Sequence, residues 1–268
     1  MKHIACFSGG KDSTALVLWA KENLPEFTAV FCDTGWEHPI TYAYIEEVNQ
    51  TVLGGSLVRI ASDRYPGGFV ELVQKKRRCP SAKARFCTEQ LKVVPMIHWL
   101  DQQGDELTVY QGIRADESLS RSRMPARQWS DHYDAWIERP LLHWTAEQCF
   151  DLIRAKDVQP NPLYLMGAAR VGCFPCVMVN MRELKAYLTH PQNGPALKQR
   201  LLDLEARVGR SFFEPTYIPE RFCTGFDDVS GKPFPWCSDV FRYLESVDEN
   251  QLPLLPARSC MSVYNLCE

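Results

Sequence analysis

The residues near the start of the chain that are best suited to chemistry form the loop 8–14, with two glycines, one lysine and three hydroxyl side chains. The loop lies between a strand-length apolar run, residues 4–7, and a run typical of a helix start. Glycine amides, a helix N-terminus and the Lys11 ammonium all attract phosphate. A tight turn with Asp12 or Ser13 as helix N-cap is the alternative interpretation. Because Lys11 is followed by Asp12 rather than by serine or threonine, the loop is not a Walker A loop. It predicts a phosphate site of another type.

The second reactive group is the set of eleven cysteines. Cys6, Cys32 and Cys149 lie in apolar runs and are predicted to be core residues. Cys173 and Cys176 form a C-x-x-C pair, which suits either a redox pair or half of a metal site. We favour the metal site, which needs two more thiolates, and spacing distinguishes neither zinc from an iron–sulfur cluster nor one further ligand from another. The candidates for those further ligands are Cys79, Cys87, Cys223, Cys237, Cys260 and Cys267.

Length and charge limit the class of protein. The chain has 268 residues and a formal net charge of −3, so its overall charge gives no attraction to nucleic acid or to acidic membranes. No segment is typical of a secretory signal or long enough to cross a bilayer, which predicts a cytoplasmic protein without a membrane partner. The densest positive run, residues 75–85, is read either as a solvated helix end or as a clamp on phosphates.

The elements that must position these residues alternate between strand and helix in the first part of the chain. Strands are predicted at 4–7, at 28–32 ending in Asp33, at 56–61, and at 107–111 ending in Gly112. Alternation of this kind predicts a doubly wound α/β domain with a mostly parallel sheet, in which ligands bind beyond the carboxyl ends of the strands. We expect a nucleotide-binding domain over 1–180 and a C-terminal region over 181–268, helical and then loop-rich, that helps to complete the cysteine site.

Several motifs in order resemble the phosphoadenosine phosphosulfate reductase family, within the PP-loop ATP pyrophosphatase superfamily of adenine nucleotide alpha hydrolase-like proteins. They are "SGGKDS", "VFCDTGWEHPITYAYIEEV", "RFCTEQLKVVP", "GIRADESLSR" and, most specifically, "RPLLHWTAEQCFDLIRAKDVQPNPLYLMGAARVGCFPC". The resemblance covers roughly residues 4–180.

The resemblance implies an adenine nucleotide such as ATP, with Mg²⁺, and a [4Fe–4S] cluster for which Zn²⁺ is the alternative. By this resemblance the loop cradles the phosphates, Lys11, Asp12 and Arg114 take the catalytic roles, and three cysteines hold the cluster. The implied nucleotide-binding residues are Ser8, Gly9, Gly10, Asp12, Ser13, Asp33, Thr34, Gly112, Arg114 and Arg121, and the implied cluster ligands are Cys87, Cys173 and Cys176.

Two departures from the family pattern affect the expected function. The family's reductases carry two adjacent cysteines where this chain has Cys87-Thr88, so Cys260 or Cys267, or next Cys79, is expected to supply the fourth ligand. The tail also lacks the Glu-Cys-Gly motif whose thiol attacks sulfur in the reductases.

The leading functional hypothesis is a transferase that cleaves ATP at the α–β bond and adenylates its substrate. It would serve sulfur transfer to a nucleic acid or metabolite with a sulfur-donor protein. The sequence is compatible with both a monomer and an oligomer. The first alternative is a thiol-dependent sulfonucleotide reductase that uses Cys260 or Cys267. The second is a non-catalytic nucleotide- or nucleic-acid-binding subunit, suggested by the run 75–85 and by Arg121, Arg123 and Arg127.

Overall fold

The computed structural model describes residues 1–104 and 106–253. The strands are β1 (Lys2–Cys6), β2 (Thr28–Cys32), β3 (Val58–Ile60), β4 (Leu107–Tyr110), β5 (Arg127–Ser130), β6 (Ala135–Glu138), β7 (Gly225–Asp227) and β8 (Lys232–Phe234). The helices are α1 (Lys11–Asn23), α2 (Pro39–Thr51), α3 (Gly68–Lys76), α4 (Phe86–Thr88), α5 (Val94–Asp101), α6 (Ala146–Ala155), α7 (Met181–Thr189), α8 (Gly194–Val208) and α9 (Cys237–Ser246). A π-helical segment, Glu89–Val93, joins α4 to α5.

The described residues divide into two compact units. The first comprises residues 1–68 and 88–174, and the second comprises 69–87 and 175–253. The predicted domain boundary at residue 180 stays a prediction.

The first unit is built on a six-stranded sheet with the order β3-β2-β1-β4-β6-β5. Five strands are parallel, and the edge strand β5 runs antiparallel to β6. The strand order reverses between β1 and β4, because the chain first extends the sheet towards β3 and then returns to the other side of β1. Such a reversal opens a crevice at the carboxyl ends of the strands.

Both faces of the central strands of this sheet are covered by apolar cores. Ala5 and Phe7 belong to one core with buried side chains of α1, α2 and α6. Ile4 and Val30 belong to a second core with buried side chains of α5. The predicted α/β class and mostly parallel sheet are therefore confirmed.

The second unit contains α7, α8, α9 and the β7–β8 hairpin, together with most of α3. Its buried carboxylates join loops to helix ends. Glu205 accepts hydrogen bonds from the backbone N–H groups of Phe212 (3.1 Å) and Cys237 (2.8 Å), and the second of these satisfies an N–H at the start of α9. Burial raises the pKa of Glu205, although these N–H groups act in the opposite direction.

None of the helices in the described ranges is long and apolar enough to cross a membrane. The cytoplasmic location predicted from the sequence stays a prediction.

Candidate functional site

Three polar segments follow neighbouring parallel strands at the point where the sheet order reverses. Residues 7–10 follow β1, residues 33–37 follow β2, and residues 111–114 follow β4. Because the carboxyl ends of parallel strands lie along the same edge, the sheet brings all three segments to one side of the first unit. This is the edge at which the sequence predicts a ligand.

The loop after β1 is a tight turn that only glycine fits at one position. Gly9 has φ +76°, and a Cβ atom there would lie 2.9 Å from Cγ1 of the buried Ile45. The Gly9 carbonyl accepts a hydrogen bond from Asn161 Nδ2 at 3.0 Å. Ser13 Oγ donates to the Gly10 carbonyl at 3.0 Å and accepts from the Ser8 backbone N–H at 3.1 Å. The turn is therefore braced from inside the loop and by a side chain far along the chain.

Helix α1 starts without a side-chain cap. Its N-cap is Gly10, and neither Asp12 nor Ser13 occupies that position, so the simple capping interpretation of the loop is wrong. The Lys11 backbone N–H donates to the Tyr164 hydroxyl at 2.8 Å, and Lys11 Nζ lies 5.5 Å from the centre of the Tyr164 ring. Because the N-cap residue itself supplies no side-chain acceptor, the remaining N–H groups and the helix dipole keep a positive potential that suits an anion.

Buried charges surround this helix start. Asp12 is 1% exposed, and its two carboxylate oxygens contact Lys11 Nζ at 3.0 Å and Arg114 Nε at 2.5 Å. Arg114 also pairs with Asp116. Burial opposes the charged form of Arg114, but Asp12 and the neighbouring carboxylates outweigh burial and raise its pKa. The two cations that the resemblance assigns to catalysis are therefore held by one carboxylate.

The same network extends to Arg121, which the resemblance places near the bound anion. Arg121 pairs with Glu117, whose carboxylate also accepts the Arg114 backbone N–H at 2.9 Å. Gly112 allows this loop to approach α1, because a Cβ at Gly112 would lie 2.8 Å from the Asp12 carbonyl oxygen. The structure thus brings Arg114 and Arg121 together with the loop after β1.

Asp33 and Thr34 turn the chain after β2. Asp33 Oδ1 accepts hydrogen bonds from the Gly35 backbone N–H at 2.8 Å and from the Tyr42 hydroxyl at 2.7 Å. Thr34 Oγ1 donates to Glu37 Oε1 at 3.0 Å. Both residues lie at the predicted edge, and in this arrangement their side chains hold the turn.

Cys173 lies beside a buried acid that the sequence analysis missed. Its backbone forms an antiparallel bridge with Glu37, and its Sγ lies 3.7 Å from Glu37 Oε1 and 3.7 Å from Thr34 Oγ1. Burial raises the pKa of Glu37. The thiol and the carboxyl group are therefore close enough to share a proton.

The other predicted metal ligands are Cys87, Cys176, Cys260 and Cys267, and their role as ligands stays a prediction. Cys87 and Cys176 belong to the second unit, and the Met178 backbone N–H lies 3.5 Å from Cys176 Sγ. Cys260 and Cys267 lie outside the described residues. Within 1–104 and 106–253, no group of three or more histidine, cysteine, aspartate or glutamate side chains is arranged to hold a metal ion. An iron–sulfur cluster and zinc therefore both stay predictions.

Of the remaining candidate cysteines, Cys79 and Cys223 are half-buried and Cys237 is fully buried. Burial raises the pKa of Cys79 to about 12 and also raises that of Cys237. Cys149 is fully buried in the first core, as predicted, whereas Cys6 and Cys32 are half-buried against the second. Thiols with raised pKa values are poor nucleophiles and inert structural residues.

Sequence reasoning also missed Asn161 and Tyr164, which brace the loop after β1. Both lie in "NPLY", which follows α6, and the Asn-Pro dipeptide was the available signal of a turn. Nothing in their local pattern predicts contact with residues about 150 positions earlier. The basic run 75–85 forms the end of α3 and the segment after it, where Lys75 pairs with Glu71 at 2.7 Å.

A parallel α/β sheet with an uncapped, cation-lined helix start at its reversal point defines a nucleotide-binding type of α/β protein. Comparison with known proteins narrows this class. Residues 2–179 match the family model described as phosphoadenosine phosphosulfate reductase domain. The chain belongs to the phosphoadenosine phosphosulfate reductase family.

Individual relatives agree with this assignment. The chain is 29% identical to an uncharacterized 37.8 kDa protein of Escherichia phage 186, over 99% of this chain and 96% of the relative. It is 25% identical to adenosine 5'-phosphosulfate reductase of Geobacillus kaustophilus, over 64% of this chain and 71% of that enzyme. The matches with three further relatives span only 37%, 47% and 61% of the length of those proteins.

The fold also has a solved counterpart. The crystal structure of phosphoadenylyl-sulfate reductase from Candida auris, a phosphate complex, matches with a TM-score of 0.52 and 16% identity. The match covers 66% of this chain and 83% of that one. At this identity the likeness supports the fold alone.

Proposed function

We propose that this protein is a thiol-dependent sulfonucleotide reductase, which binds an adenosine phosphosulfate at the loop after β1 and releases sulfite. Relatives named adenosine 5'-phosphosulfate reductase support this reaction better than the ATP cleavage expected first from the sequence. The family model over residues 2–179 gives the same support.

The observation that carries the proposal is the pairing of the Asp12 carboxylate with two cations. A reaction of Mg²⁺–ATP calls for a carboxylate available to the metal, since Mg²⁺ is usually bound by one or two carboxylates together with substrate phosphates. Both oxygens of Asp12 instead contact Lys11 and Arg114, so that this carboxylate positions two cations. An anionic substrate without a bound metal suits this arrangement better than ATP with Mg²⁺.

The proposed chemistry breaks one S–O bond. A cysteine thiolate attacks the sulfur of the phosphosulfate, the S–O bond to the nucleotide phosphate breaks, and the electron pair leaves with the nucleoside phosphate. The backbone N–H groups of the loop, Lys11 and Arg114 would stabilise the charge that develops on the leaving phosphate. A dithiol reductant then supplies two electrons, which releases sulfite from the S-sulfocysteine and leaves the reductant as a disulfide.

The attacking thiol is assigned to Cys260 or Cys267 of the tail. Within the described ranges, Cys6, Cys79, Cys149 and Cys237 have pKa values raised by burial, which lowers the fraction of thiolate at neutral pH. An iron–sulfur cluster or zinc held by Cys87, Cys173 and Cys176 is not needed for any step proposed here.

A two-substrate assay tests the proposal. The full chain, purified without oxygen, is incubated with adenosine 5'-phosphosulfate or its 3'-phosphorylated form and a dithiol, and sulfite is measured. A parallel reaction contains ATP and Mg²⁺ and is assayed for AMP and pyrophosphate. We expect sulfite release that is lost in Cys260→Ser or Cys267→Ser and kept in the control Cys223→Ser. AMP and pyrophosphate without sulfite would overturn the proposal in favour of ATP cleavage.

A further inference from the structure

One buried cation at the same sheet edge has no carboxylate partner. Arg139 directly follows β6 and is 1% exposed. Its Nε donates to Gln111 Oε1 at 3.1 Å and its Nη1 donates to the Pro125 carbonyl at 2.8 Å. Its Nη2 has no hydrogen-bond partner among the described residues. Both acceptors are neutral groups, so they solvate the guanidinium without balancing its charge.

The other buried cations of this edge differ from Arg139. Lys11, Arg114 and Arg121 each contact at least one carboxylate. Burying an unpaired charge is costly, and burial lowers the pKa of Arg139 to about 10. Within the described residues, the buried positive charge of Arg139 therefore destabilises the first unit, because no carboxylate of that unit contacts it.

The sheet register gives the position of the Arg139 backbone relative to the loop after β1. Tyr110 pairs with Glu138 and with Ala5, so Arg139 lies level with Gln111 and Cys6, one residue before the loop begins. Two strand spacings separate β6 from β1, which corresponds to roughly 10 Å. For a ligand charge at a similar distance from the guanidinium and an effective dielectric constant of about 20, each unit of charge changes the dissociation constant by about tenfold.

We propose that Arg139 is a charge-compensating residue of the nucleotide site, whose positive charge is balanced by the anionic phosphate of the bound nucleotide. The inference rests on the proposed function only in placing a nucleotide phosphate at the loop after β1. Arg139 attracts the ligand through the low-dielectric interior and does not contact it, because its guanidinium is enclosed by the protein.

The test compares a charged and an uncharged ligand of the same base. Dissociation constants for AMP and adenosine are measured by calorimetry with the full chain and with Arg139→Gln, Arg139→Met, Arg139→Lys and the control Arg154→Gln. Arg154 is an exposed residue of α6, so its variant makes the same change in net charge away from the edge. We expect the preference for AMP over adenosine to fall about tenfold or more in the folded neutral variants, with adenosine affinity kept. The substitution Arg139→Lys retains the positive charge and therefore keeps the preference, as does the control.

Three results would overturn the inference: an unchanged preference in a folded neutral variant, an equal loss of AMP and adenosine affinity, or a tenfold loss of preference in Arg139→Lys. If neither neutral variant folds, Arg139→Lys decides alone. The outcome is separate from that of the reductase assay. A protein that binds AMP with the expected Arg139 dependence but releases no sulfite would refute the reaction and leave this inference standing.

Discussion

The substitution Gly9→Ala tests most directly whether the loop after β1 is built as a close-fitting turn. The backbone of Gly9 has φ +76°, and a Cβ there would lie 2.9 Å from Ile45 Cγ1 and 3.3 Å from Thr41 Cγ2. Ile45 is fully buried in the core between the sheet and α2, so it has little room to move away. Gly9→Ala therefore combines backbone strain with overpacking.

The magnitude follows from these two contributions. A left-handed backbone costs an alanine roughly 1–2 kcal/mol. An additional carbon in a well-packed core costs about 1–3 kcal/mol. The lower entropy of the unfolded alanine chain offsets roughly 0.4–1 kcal/mol. The expected loss in the free energy of unfolding is about 3 kcal/mol, which corresponds to a decrease in Tm of about 6–12 °C for a protein of this size.

Gly54→Ala is the matched control, because it carries the strain without the steric contact. Gly54 has φ +62°, and nothing lies within 4 Å of a Cβ placed there. We expect a loss of about 1 kcal/mol for Gly54→Ala, from the backbone term alone. Thermal unfolding and urea titration of both variants give the difference, and isothermal titration with AMP shows that Gly9→Ala weakens binding whereas Gly54→Ala does not. Equal losses of stability, or AMP binding unchanged in a folded Gly9→Ala protein, would refute the reasoning.

Three further outcomes follow from other contacts. Tyr164→Phe leaves the Lys11 backbone N–H without its acceptor, so we expect a loss of about 1–3 kcal/mol in urea titration, and an unchanged midpoint would contradict it. Burial raises the pKa of Glu205 in the folded state. The protonated side chain therefore contributes fully to the free energy of unfolding below the ordinary carboxyl pKa, and this contribution is lost as pH rises through the raised pKa. The free energy of unfolding should therefore fall less in Glu205→Gln than in the wild type between pH 4 and pH 7, about the range over which carboxyls ionise. Parallel plots of the free energy of unfolding against pH for the two proteins would contradict this expectation. Anaerobically purified protein is expected to absorb broadly in the visible range, with the band lost in Cys173→Ser and kept in Cys223→Ser; colourless protein with stoichiometric zinc would contradict the cluster.

The sequence predicted four of the six strands of the sheet, because their signals are local, and missed β5 and β6. The apolar runs before the phosphate loop and before Asp33 became β1 and β2, and the run ending at Gly112 became β4. Their position at one edge follows from the parallel arrangement, so the three polar segments after β1, β2 and β4 could be placed without coordinates. The loop after β1 was singled out from its glycines, lysine and hydroxyls, and its role as a phosphate site stays a prediction.

The contacts that hold the site could not be predicted in the same way. Tyr164 and Asn161 contact the loop from about 150 residues away, and Glu37 meets Cys173 across 136 positions. No periodicity or spacing specifies such pairs, since they depend on how the return of the chain after α6 packs at the sheet edge. Arg139 was also missed, because its significance lies in the absence of a neighbouring carboxylate among the described residues, and only coordinates show which charges are paired.

The charge pairing suggests how the site discriminates between ligands. Asp12 engages Lys11 and Arg114, and Glu117 engages Arg121, so an incoming anion must compete with carboxylates already in contact with these cations. A weakly charged ligand gains little from that exchange, whereas a phosphate held by the loop amides can share the cations with Asp12. Arg139 adds attraction that needs no exchange, because no carboxylate in the described residues pairs with it. Selectivity for anionic nucleotides would thus come from the unpaired Arg139 together with cations that are already paired with carboxylates. Removing Asp12 should strengthen anion binding and lower the free energy of unfolding.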